Sequence, residues 1–201
     1  KRKIMENQSK YTSILDSAEE ILKQEGLSGI SINKVAKKAK IAKGTVYLYF
    51  KSKEEIIAAI TVKARKLLLQ YFHQYCDRQS DPIEKIKAIF YADYHFFKEQ
   101  YTYHELVSFY EQNTGLMEDG ALAETSHEIS AYIKNLLEEA KKVGAIRQDV
   151  DCMKTPFLFW GMVIGILQLI ENKKQQIQHM AQTTESDFFD SYVDFMIQGL
   201  K

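Results

Sequence analysis

Apolar residues recur every three or four positions along most of the chain, and no stretch alternates apolar with polar long enough to make a convincing strand. Ile14, Ala18, Ile21 and Leu22 line one face of a helix over about 11–24. Gly26 is its stop, because glycine takes the left-handed conformation there without steric cost. Ser31 is placed to cap a second helix whose inner face is Ile32, Val35, Ala36 and Ala39. A break at 40–42 separates it from a short third helix over about 43–49, with Val46 and Phe50 turned inward. Ser52-Lys53-Glu54-Glu55 reads as a capping box and opens a long fourth helix. Asp81-Pro82 starts the fifth, a capping carboxylate followed by a proline whose missing N–H costs nothing in a first turn. Its stripe is Ile83, Ile86, Phe90, Tyr94, Phe97 and Tyr101. Further helices are predicted over about 103–112, 123–143 with Gly144 as the stop, 151–172, and from Ser186 through Leu200, with a loop at 113–120. The fold class is all-α, with about nine helices.

Composition agrees. The chain has 201 residues, 45% of them apolar, with only 2 prolines and 9 glycines, too few turn formers for a sandwich or barrel. Cys76 and Cys152 make no disulfide scaffold and read as reduced thiols of a cytoplasmic protein. No apolar run follows the basic N-terminus, so no signal peptide is predicted. The longest apolar stretch, 157–170, is too short to span a bilayer and reads as a buried helix, so no membrane partner is expected.

Charge changes the picture. Lys+Arg and Asp+Glu both number 27, but residues 1–55 hold 12 basic and 7 acidic side chains, a net +5, and the remainder balances it at −5. The window 31–53 holds seven lysines and no acid. A solvated helix usually mixes both signs, so a purely cationic stretch points to a polyanion. The second helix, tight turn and third helix make a helix-turn-helix of about 20 residues, its last helix small enough for a DNA major groove. Lys43, Gly44, Thr45, Tyr47 and Tyr49 fall on its outer face or at its entry. Lysines neutralise phosphates, hydroxyls bond phosphate or base edges, and glycine permits close backbone approach. The start of the fourth helix adds Lys53 and free amides, a ready anion site.

The run Ile32-Asn33-Lys34-Val35-Ala36-Lys37-Lys38-Ala39, then Lys43-Gly44-Thr45-Val46-Tyr47-Leu48-Tyr49-Phe50-Lys51-Ser52-Lys53-Glu54-Glu55, resembles the DNA-binding domain of tetracycline-repressor-type (TetR) regulators. Residues 14–26 resemble that family's first helix, and the match covers about 50 residues without gaps. The resemblance implies a DNA-binding domain at 1–55 and a helical effector-binding and dimerisation domain at 56–201. It also implies a homodimer on a two-half-site operator, most simply a repressor released by a small effector. By family position it implies DNA contacts from Ser31, Lys43, Gly44, Thr45, Tyr47, Tyr49 and Lys53. Two residues depart from the family pattern. Lys40 stands where glycine is usual, and Ala42 stands where Ser or Thr often caps the third helix.

The body carries no such motif. Residues 71–110 hold 12 of the chain's 24 aromatics, which either fill a core or line a ligand cavity. Phe90, Tyr94, Phe97, Tyr110 and Trp160 are the candidate ligand residues, and the effector they suit is apolar or aromatic. No buried charge can be assigned from the sequence to refine that chemistry. The last two helices are candidates for a dimer face, with Gly161 and Gly165 four apart and a stripe of Phe188, Tyr192, Phe195 and Gly199. His73 and Cys76 are too few ligands for a metal site, no catalytic constellation or phosphate loop is found, and no cofactor is expected. The rival reading is a helix-turn-helix protein without effector, an adaptor or a nucleoid-type DNA binder; a helical enzyme is the third.

Overall fold

A computed structural model describes residues 2–112 and 120–201. Among the described residues there are nine α-helices, one 3-10 turn and no strand, the all-α class expected. The helices are α1 (Arg2–Glu25), α2 (Ile32–Lys38), α3 (Lys43–Tyr47), α4 (Lys53–Cys76), α5 (Pro82–Glu99), α6 (Tyr101–Gln112), α7 (Gly120–Lys142), α8 (Thr155–Met180) and α9 (Glu185–Gln198). They form two compact units, Lys1–Arg65 with Thr102–Ala123, and Lys66–Tyr101 with Glu124–Lys201. The first unit thus extends beyond residues 1–55, taking in the start of α4 and α6 from Thr102 onward. Helix α4 runs without interruption from one unit into the other.

In the first unit the α1 stripe Ile14, Ala18, Ile21 and Leu22 is fully covered, as are Val35, Ala36, Val46 and Phe50. Helix α1 packs on α2, and α2 on α3. The local signals hold. The Lys34 amide donates to Ser31 Oγ at 3.3 Å, and the Glu55 amide to Ser52 Oγ at 3.3 Å. The return bond of this box reaches one residue further back than usual: the Lys51 amide donates to Glu55 Oε2 at 2.7 Å. Between α2 and α3, Lys40 has φ 54, and Ala42 gives α3 no side-chain cap. Glu19 is a buried carboxylate that accepts from Lys63 Nζ at 2.8 Å and from the Tyr103 hydroxyl at 2.9 Å, pinning α1 to α4 and α6.

In the second unit α5, α8 and α9 pack against one another. Asp81 accepts from the Ile83 and Glu84 amides at 2.9 and 3.0 Å, as its position before proline predicts. The buried face of α5 holds Ile86, Ile89, Phe90, Phe96 and Phe97; Tyr101 has left it and opens α6.

Several boundaries move, each for a local reason. Helix α1 begins at Arg2, because its first turns lack an apolar stripe and are invisible to periodicity. Helix α3 ends at Tyr47. Asp151 accepts from the Met153 and Lys154 amides, holding a turn that delays α8 to Thr155. That helix then continues to Met180 through non-helical angles at Lys173. The last helix starts at Glu185, because Thr184 rather than Ser186 caps it, accepting from the Asp187 amide at 3.1 Å. The stop at Gly144 has φ 76. The loop expected at 113–120 lies outside the described residues, save Gly120, which begins α7. Helix α8 is 26 residues long and buried along one face only, a correction to the fully buried helix expected at 157–170.

Relief of the left-handed lysine should stabilise the head. Lys40→Gly is expected to raise stability by about 0.5–1 kcal/mol in urea unfolding, because left-handed geometry costs a side chain about 1–2 kcal/mol and glycine's unfolded-state entropy returns part of it. Lys40→Ala should give no gain; an equal gain would place the effect elsewhere.

Candidate functional site

The helix-turn-helix presents a small cationic face. Of the seven lysines between Ser31 and Lys53, two are held by acids of α1: Lys34 pairs with Glu25, and Lys38 with Glu20 at 2.8 Å. Lys53 lies 4.0 Å from the Glu54 carboxylate. Lys37, Lys40, Lys43 and Lys51 have no acidic partner among the described residues, and Lys43 Nζ lies 5.8 Å from the centre of the Tyr47 ring. Tyr47 is 47% exposed and Leu48 83%, the most open apolar side chain of the head among the described residues. Thr45 is half-buried on α3. A Cβ on Gly44 would meet nothing within 4 Å, and its φ is not positive, so nothing inside the fold requires glycine there.

Three of the expected DNA residues also have intramolecular roles. Ser31 caps α2. The Tyr49 hydroxyl donates to Asn7 Oδ1 at 2.7 Å, tying α3's exit to the start of α1. At the start of α4, where Lys53 lies, bonds from its own amide and then from Ser52 hold the Glu54 carboxyl below its usual range. Ser52 Oγ takes the Glu55 amide, so a phosphate at these amides would displace the helix's own caps.

Of the candidate ligand residues, Tyr110 belongs to the first unit, where its hydroxyl reaches the Glu54 carbonyl at 3.5 Å beside a groove of about 420 Å³. Phe90, Tyr94, Phe97 and Trp160 belong to the second. Phe90 lies 4.8 Å from Phe159 and 5.6 Å from Tyr192, and Tyr94 stacks on Phe189 at 4.6 Å. Phe90 and Phe97 are fully covered; Tyr94 and Trp160 are half-buried. His73 faces the Tyr132 ring at 4.5 Å, and the Cys76 thiol donates to the Lys85 carbonyl at 3.4 Å and is pushed up to about 11 by burial.

Sequence reasoning missed Asp93. It lies on α5 one turn from Ile89, Phe90, Phe96 and Phe97, all buried. Desolvation pushes its carboxyl up to about 8, and no cation offsets that. Periodicity could flag it only as a lone acid within an aromatic stripe. Near it, the Tyr192 hydroxyl is buried without a hydrogen-bond partner.

What α2 and α3 build is a DNA-reading element, and the chain is a DNA-binding transcriptional regulator. Residues 14–60, which hold the helix-turn-helix, match the model of the bacterial regulatory proteins of the tetR family. The regulator UidR of Escherichia coli K12 is 26% identical over 174 residues, 83% of this chain and 84% of that protein. The fatty acid metabolism regulator protein of Bacillus subtilis is 43% identical over 51 residues only, 25% of this chain and 26% of that protein. The solved structure of the regulator FadR from Bacillus subtilis, in complex with stearoyl-CoA, shares the fold at a TM-score of 0.66 and 19% identity, covering 95% of this chain and 100% of that one.

Asp93 sets a pH dependence whose sign is fixed. Its folded value lies above the unfolded one, so the protein is favoured while the carboxyl is protonated and loses stability as pH rises from about 4 through about 8. Tyr192 on α9 and Cys76 on α4, the titratable neighbours coupled to it, stay neutral over that range, and α8 offers no titratable group from Thr155 to Ile170. Asp93→Asn should therefore raise Tm at pH 8 and leave it nearly unchanged at pH 4. Parallel Tm–pH profiles for the two proteins would contradict the assignment.

Proposed function

We propose that the chain is a homodimeric repressor that leaves a two-half-site operator when a small apolar or aromatic effector binds its second unit. The observation that carries the DNA side is the set of lysines without acidic partners, Lys37, Lys40, Lys43 and Lys51, grouped around α3. Lys43 and Lys53 serve phosphates, with Ser31, Tyr47 and Tyr49 as hydroxyl donors. Thr45 discriminates bases, and Gly44 lets the duplex approach. No catalytic step is assigned, and the protein acts in the cytoplasm.

Dimerisation rests on α8 and α9. Phe157, Leu158, Met162 and Leu169 are exposed and fall with Gly161 and Gly165 on one helical face, opposite the buried Phe159, Val163, Leu167 and Ile170. Phe195 on α9 is 76% exposed. Two such faces cover one another, and the glycines let the helices approach closely. A dimer fits its operator when its recognition helices sit about 34–36 Å apart, one turn of DNA. An effector that binds better at another spacing lowers DNA affinity by that difference. Helix α4 is the lever: it starts beside α3, and its last residue, Cys76, feels the charge of Asp93.

Gel-shift titration over salt tests the reading. Each phosphate neutralised contributes about −0.9 to the slope of log affinity on log salt, so three or four lysines per protomer predict about −5 to −7 for the dimer. Lys43→Ala should flatten it by about 2, and Lys142→Ala on the acidic body should not change it. Tyr47→Ala should weaken specific and random DNA alike. Equal responses at Lys43 and Lys142 would refute the interface. Phe195→Asp should give monomers by light scattering, because it buries an unpaired charge at the interface; a wild-type monomer at micromolar concentration refutes the dimer.

A further inference from the structure

We propose that Leu48 is a specificity-determining residue, which reads the operator by taking a thymine C5-methyl group against its side chain. This rests on the DNA reading above and deepens it. Leu48 follows the last residue of α3 and keeps helical angles, φ −72 and ψ −21, its amide donating to the Thr45 carbonyl at 3.2 Å. It thus continues the helix, whose period sets it about 200° away from Val46 and from Phe50. Those two side chains are covered, whereas Leu48 is 83% exposed, so its isobutyl group points away from the apolar core of the head. Gly44 lies one turn earlier on the side that Leu48 occupies, about 40° from it around the axis. A Cβ on Gly44 would meet nothing within 4 Å, so the ground in front of Leu48 is open. Helical side chains lean toward the N-terminus, which carries Leu48 over that ground, with the half-buried Thr45 beside it.

One exposed leucine is ordinary on a protein surface, but the place of this one is not. It stands on the reading element among Lys37, Lys40, Lys43 and Lys51, which have no acidic partner among the described residues. A surface of that sign takes a polyanion, so an apolar side chain within it must meet an apolar part of the polyanion. A duplex offers few. Phosphates are charged, and base edges present donors and acceptors; the exception in the major groove is the methyl group of thymine. Leucine has neither donor nor acceptor, so the methyl is the feature it can distinguish. Its neighbours carry the polar half of recognition: Lys43, 5.8 Å from the Tyr47 ring centre, meets phosphate with Tyr47, and the Thr45 hydroxyl meets a base edge. Contact between the isobutyl group and the methyl takes apolar surface of both out of water, and a base without the methyl forfeits that gain.

Uracil in place of thymine removes the methyl and keeps the base pair. The probe is the duplex that the full chain selects from a random-sequence pool, remade with deoxyuridine at one symmetric pair of thymines at a time and titrated by gel shift. Loss of one buried methyl predicts about fourfold weaker binding per half-site, so about fifteenfold for a symmetric pair, at the position that Leu48 reads. Leu48→Ala should bind the thymine and uracil duplexes within about twofold of each other at that position, closing the double-mutant cycle. It should keep its affinity for random DNA and its Tm, because so exposed a side chain supports little inside the fold. Leu48→Met, which keeps the apolar reach, should retain the thymine preference. A wild-type protein that tolerates uracil at every thymine overturns the inference without any variant. A uracil penalty that survives Leu48→Ala also overturns it, by giving the methyl to another side chain. So does an equal loss on random DNA, the mark of a backbone contact. A chain that selects a duplex but ignores its methyls sinks only the role of Leu48; one that selects no duplex sinks the DNA reading as well.

Discussion

The first unit turns on one buried carboxylate. Helices α2 and α3 have seven and five residues, too short to hold shape alone, so their geometry is set by what they pack on. That support is α1, and Glu19 bonds α1 to Lys63 of α4 and Tyr103 of α6. Lys63 is half-exposed, so its ion pair alone is a modest restraint; the buried Tyr103 hydroxyl, which would lose its partner, is the stronger one. The apolar stripe of α1 supplies adhesion without direction, whereas three groups meeting at one oxygen specify an angle. Whatever shifts α4 along this contact also shifts α1, and with it the reading element.

Glu19 is buried and Asp93 strongly desolvated, and the two carboxyls stand in opposite conditions. Glu19 is met by a cation and a hydroxyl, so its burial contributes to structure. Asp93 lies one helical turn from buried apolar positions of α5 with no cation to offset its desolvation, so its charged form costs stability.

The same contrast marks what the sequence could tell. Ser31, Ser52, Asp81 and Gly144 act on backbone within four residues of themselves, so their roles were legible from neighbours in the chain. The stripes of α1 and α2 were legible because burial there follows helical period. The DNA face was legible as a charge window but not in detail: that Glu25 and Glu20 take Lys34 and Lys38 out of it is a tertiary fact. So is the tether from Tyr49 to Asn7, 42 residues apart. Asp93 lay beyond reach for the same reason, since one acid in an aromatic stripe reads equally as a solvated edge until the packing of α5 against α8 and α9 is known.

On α8 the apolar run was legible, but its division into faces was not. Phe157 at 61% exposure and the covered Phe159 are two residues apart in an unbroken hydrophobic string, and composition assigns them the same fate. Helical geometry separates them by about 200°, so one packs against α5 and α9 while the other waits for a partner. The consequence reaches Asp93. The helix whose outer face is left for a second protomer carries on its inner face Phe159, which contacts Phe90 one turn from that carboxyl. A displacement of Phe159 is a displacement of α8, and it carries the exposed face of that helix with it.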